Sequence, residues 1–141
     1  MSSAPRHHLK NDHQLANIIF NETRSLSGLG IAQARVNIAH AIINAEYSPH
    51  VVPQMAPSTA HVPKQEIGIY SSCLTAVLTA HTDIQKGRDP TNGATHFNFR
   101  VGPSTASFFN LQLQTQAGPL NNSNPRPPLN SKDNIYANTY K

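Results

Sequence analysis

Residues 17–46 read NIIFNETRSLSGLGIAQARVNIAHAIINAE, two apolar stretches of helical character on either side of a glycine-containing break. Leu15, Ile18, Ile19 and Glu22 stand at i, i+3, i+4 and i+7, so they share one face of a helix and a carboxylate lies on an otherwise apolar stripe. An acid placed there is either half-buried with its pKa raised, which suits proton donation near neutral pH, or sits at a helix end where the stripe meets solvent. A cleft satisfies both conditions. Asn11 or Asp12 can cap this helix, which is expected to run to about Arg24.

Two serines and two glycines within residues 25–30 break the helix, because they favour turn and cap geometries over continuation. From Ile31 to Glu46 nearly every position that is not polar is Ala, Ile or Val, and a helix apolar over so much of its girth is a buried one. Its remaining side, Gln33, Asn37, His40 and Asn44, forms a continuous polar seam. It reads as the solvent-facing strip, with the wall of a polar cleft as the other reading, and the same alternatives hold for His40 and Glu46 as catalytic partners.

Residues 47–63 carry four of the eleven prolines and form a loop, since proline removes donors and restricts its predecessor. A third helix is expected from Ser71 or Ser72, capped by the hydroxyl, to about Lys86. Its inward stripe is Leu74, Val77, Leu78, His81 and Ile84, with Lys86-Gly87 as its stop. Dense turn chemistry follows over residues 87–94, where Asp89 closes a turn. Residues 95–101 and 109–114 alternate apolar and polar side chains and predict a small antiparallel pair.

A chain of 141 residues holds about one domain, read as a flexible arm over 1–10, a single domain over 11–117 and an irregular or disordered tail over 118–141. The net charge of +4 reflects few acids rather than basic clusters, which disfavours nucleic acid as a partner while suiting an anionic polymer such as a cell wall. The lone Cys73 forms no intrachain disulfide and requires no oxidising compartment. No apolar run reaches the length of a membrane span and no leader is recognisable. His7, His8, His50 and His61 match no metal-ligand spacing, so no metal or other cofactor is expected.

Two blocks resemble a known family. NIIFNETRSLSG followed by GIAQARVNIAHAIINAE, and then AVLTAHTDIQKGRDPTNGATHFNF, are similar in order and separation to the SleB-type cell wall hydrolases, the spore-cortex-lytic group. The resemblance implies an α+β fold, a small lysozyme-like helical domain with a short antiparallel sheet, acting on peptidoglycan glycan strands. It places the family's catalytic glutamate at Glu22 and a lytic transglycosylase mechanism that needs one carboxyl group. Tyr70, Ser71, Thr91, Asn92, His96 and Asn98 are the candidates for holding substrate. The alternatives are a hydrolytic muramidase, a zinc-dependent peptidoglycan amidase and a non-catalytic wall-binding module. Without a recognisable leader, action in the periplasm or cell wall implies injection or phage lysis, and a delivery or immunity protein becomes an expected partner.

Overall fold

The computed structural model describes residues 9–26, 30–48, 57–102, 110–113 and 134–140. They form α1 (Asp12–Thr23), α2 (Ile31–Tyr47), a 3-10 turn (Lys64–Glu66) leading into α3 (Ile67–Gln85), and the strands β1 (His96–Gly102), β2 (Asn110–Leu113) and β3 (Asn134–Tyr140). The unit is small and mostly helical. No described helix is long and apolar enough to cross a membrane.

Asn11 caps α1 in both directions: its Oδ1 accepts from Gln14 N at 2.8 Å, and its own N–H donates to Gln14 Oε1 at 2.9 Å. This reciprocal box satisfies two of the N–H groups that a helix start leaves open. Asn11→Ala is expected to lower stability by about 1 kcal/mol, measured by urea denaturation; an unchanged midpoint would show the box idle in solution. At the other end of the helical unit, Gly87 adopts φ +70°. Gly87 N donates to Ile84 O at 3.0 Å and Arg88 N to Asp83 O at 2.8 Å, the paired bonds of a Schellman stop. Only a residue without Cβ takes that conformation freely.

α2 is the hub, packed against α1, α3 and each of the three strands. Its positions from Ala34 to Ile43 are all buried, as its nearly all-round apolar pattern predicts. Leu15, Ile18, Ile19 and Phe20 of α1, Ile38 and Ile42 of α2, and Phe97 of β1 join it in one core.

The inward face of α3 differs from expectation. Cys73, Ala76, Val77 and Ala80 are its buried residues, whereas Leu78 is 51% and Ile84 44% exposed. Val77 is buried as expected and Leu74 packs against the core; beside them small side chains face inward because α3 packs closely against both α1 and α2, while Leu78 and Ile84 turn outward. The helix also begins at Ile67 rather than at Ser71 or Ser72. The Ser72 hydroxyl does not cap; it donates back to Gly68 O at 3.1 Å, a bond available only inside a helix already formed.

The strand connectivity also departs from a simple pair. β1 and β2 do not pair with each other; each runs antiparallel to β3, in the order β1-β3-β2. Residues 134–140 therefore do not belong to an irregular tail, while the arm at 1–8 and residues 114–133 lie outside the described residues.

Candidate functional site

Glu22 occupies the last turn of α1. Below it Leu15, Ile18 and Ile19 are buried to within 2%, but the stripe reaches solvent at Glu22 and its side chain is exposed. Desolvation by the surrounding protein nevertheless pushes the Glu22 carboxyl above its ordinary value. No described Lys, Arg or His pairs with it. Arg24, two residues on in sequence, is held by both oxygens of Glu66 and lies 5.1 Å from the centre of the Phe20 ring. Glu22 thus combines access to solvent with a carboxyl raised by desolvation, the two conditions its helical phase left open.

The other acids among the described residues are engaged elsewhere. Glu66 pairs with Arg24, Glu46 with Lys10, Asp12 with His81, and Asp83 with His40 and Arg88. Asp89 is gripped by its own turn: Oδ1 accepts from Thr91 N at 2.8 Å and Thr91 Oγ1 at 2.6 Å, and Oδ2 from Gly93 N at 3.0 Å and Asn44 Nδ2 at 2.9 Å. Burial alone would raise the Asp89 carboxyl, but the bonds from Thr91, Asn44 and Gly93 outweigh it and hold the group below its ordinary value. Asp89 is a turn-closing side chain, and Thr91, 1% exposed, serves that turn.

The polar seam of α2 is not the solvent strip. Asn37 and His40 are buried; His40 Nε2 donates to Asp83 Oδ2 at 3.0 Å, while its Nδ1 lies 3.7 Å from Asp89 Oδ1 without a hydrogen-bond partner among the described residues. The seam fastens the end of α3 and the Asp89 turn to the hub helix. Buried polar groups need partners: His40 Nε2 and Asn44 find theirs across the fold, Asn37 finds one in Gln33 on α2 itself, and His40 Nδ1 is left without one among the described residues.

The candidate substrate residues do not converge on Glu22. Tyr70 packs edge-on against Phe20, its ring centre 5.9 Å away, and its hydroxyl lies 2.9 Å from His13 Nδ1. Phe20 and Glu22 are two residues apart and so point about 200° apart around α1, which puts Tyr70 on the opposite side of that helix. Ser71, exposed on α3, belongs with Tyr70. Exposed Asn92, at φ 54°, and Thr91 ride on the turn tied to Asn44. α1 and α2 run antiparallel, with Arg35 bonded to Thr23 and Lys10 to Glu46, so that turn sits about 14 Å along α2 from the Glu22 end. His96 opens β1 beside Thr95, whose hydroxyl is 2.8 Å from His96 Nδ1. Asn98 is placed by register opposite Asn138; its side chain lies outside the described residues.

On the Glu22 side of α1, about two turns before it on the same stripe, Leu15 lines a cavity of about 760 Å³ together with Ile43 and Glu46 of α2 and Thr95. Sequence alone weighs Glu46 with His40 as a catalytic partner and gives Lys10 and Asp83 no role. Glu46 carried a visible signal, an acid at the end of an apolar helix, whereas the two others mean nothing until the fold supplies their partners. Among the described residues no group of three His, Cys, Asp or Glu side chains is arranged to hold a metal ion. No family model matches the chain, and no curated protein or solved structure matches it either.

Proposed function

We propose that the chain cleaves peptidoglycan glycan strands as a lytic transglycosylase, with Glu22 as its single general acid and base, in a small lysozyme-like helical domain that carries a short antiparallel sheet. The observation that supports it is the condition of Glu22: exposed, without a cation, and raised by desolvation. An acid that must give up a proton and take one back works best with a pKa near the working pH. The Glu22 carboxyl protonates the bridging oxygen as the bond from the N-acetylmuramic acid anomeric carbon to that oxygen breaks. The resulting carboxylate then takes the proton of the same sugar's 6-hydroxyl as its oxygen bonds to the anomeric carbon. The carboxyl ends as it began and no water is consumed.

The engagement of every other described carboxylate favours this one-acid route over a pair of carboxylates set at a fixed separation. The exposed turn at Asn92, about 14 Å from the Glu22 end, suits a contact to sugars distant from the bond that breaks. The test is a digest of purified peptidoglycan by wild type and Glu22→Gln, read by mass spectrometry of the released fragments. Products one water lighter than hydrolytic ones, from wild type alone, are expected. Fully hydrated products would make the enzyme a muramidase, and no release by folded wild type would leave a wall-binding module.

A further inference from the structure

We propose that the cavity between the start of α1 and the end of α2 binds a small primary amine in its ammonium form, carried on an apolar body. This does not rest on the glycan reading, and Glu22 takes no part in it. Three of the five large apolar side chains that the described residues leave exposed, Leu9, Tyr47 and Ile84, stand around this one opening. Clustered exposed apolar surface of this kind marks binding sites more often than scattered surface does. A volume of about 760 Å³ is that of a small-molecule pocket.

The charge at its wall selects the ligand. Glu46 is 1% exposed, and a buried carboxylate needs strong partners. Its two contacts, from Lys10 N and Lys10 Nζ, are both 3.4 Å long and both fall on Oε1; no described residue donates to Oε2. Three other polar side chains of the wall have partners of their own: Asn44 bonds Asp89 and Ala94 O, His81 bonds Asp12, and Thr95 meets His96; the hydroxyls of Tyr47 and Ser48 at its rim are neutral and do not choose between charges. The cavity also adjoins the C-terminal turn of α2, where helix carbonyls add partial negative charge. A cationic N–H donor on an apolar stem that reaches between Leu15, Ile43 and Ile84 would complement this wall. Lys10, at the edge of its hydrogen-bonding range, is the resident competitor for that position.

The experiment titrates n-hexylamine, 1-hexanol and hexanoate into the full chain at pH 7, following amide shifts by NMR. Hexylammonium is expected to bind at least about tenfold more tightly than hexanol, because its hydrogen bond to Glu46 is charge-assisted, and hexanoate least. In Glu46→Gln the preference for the ammonium should disappear while hexanol binding persists. Lys10→Met removes the competitor and should tighten hexylammonium binding, which keeps the test decisive even where Glu46→Gln fails to fold. Equal binding of hexanol and hexylamine by wild type, or no gain in Lys10→Met, would overturn the assignment.

Discussion

On the transglycosylase reading proposed above, Glu22→Gln is expected to slow glycan cleavage by about 10²–10⁴-fold, the range that one positioned acid–base group contributes. The substitution keeps the shape of the side chain and removes the proton that it trades. Its effect on stability separates catalysis from architecture. A carboxyl raised on folding binds its proton more tightly in the folded chain, so its contribution is fully present below the unfolded value, 4.5, and is lost as pH rises through the folded one. At pH 7 the wild type bears the cost of a desolvated charge that glutamine lacks. Glu22→Gln should therefore melt no lower than wild type at pH 7, with any gap closing below about pH 4. Release rates of soluble fragments and melting curves at both pH values check the two halves together. A variant that is inactive and also melts well below wild type would point to a structural role.

The second large effect is on stability. Asp89→Ala is expected to cost about 3–4 kcal/mol, because it strips a charged acceptor from two backbone N–H groups, the buried Thr91 hydroxyl and Asn44 at once. Asp89→Asn retains one acceptor oxygen and should fall between. The pH dependence has the opposite sense to that of Glu22. A carboxyl held below its ordinary value of 3.8 contributes stability that is present above that unfolded value and is lost as pH falls through the folded one. The gap between wild type and Asp89→Ala in denaturant titrations should hold from pH 7 to pH 5 and narrow below pH 3.8. A gap that is constant with pH would mean that the turn owes nothing to the charge.

Local periodicity carried the parts of this architecture that depend on neighbours in sequence. The phase of Glu22, the cap at Asn11 and the glycine stop at Gly87 depend on residues within a turn or two of one another. The burial of α2 was equally legible, because Ala, Ile and Val surround it. What escaped depends on distant partners. His40 reads as a surface position until Asp83, 43 residues away, arrives beside it. Leu78 reads as more inward than Cys73 or Ala76 because side-chain size says nothing about how near two helices come. β3 did carry a signal, since Ile135, Ala137 and Thr139 alternate with Asn and Tyr, but the prolines before it made the whole stretch look irregular. The separation of Tyr70 from Glu22 follows from Phe20 pointing toward α3, which only the packing of α1 on α3 decides.

Cys73 gives this packing a chemical clock. It is fully buried on the inward face of α3; burial pushes its thiol up, against the opposing pull of Arg35 and Thr23. A thiol reagent reacts with the thiolate, and here it meets one only when the helices part. Since the chain has a single cysteine, the rate of labelling counts those partings directly, without any engineered probe.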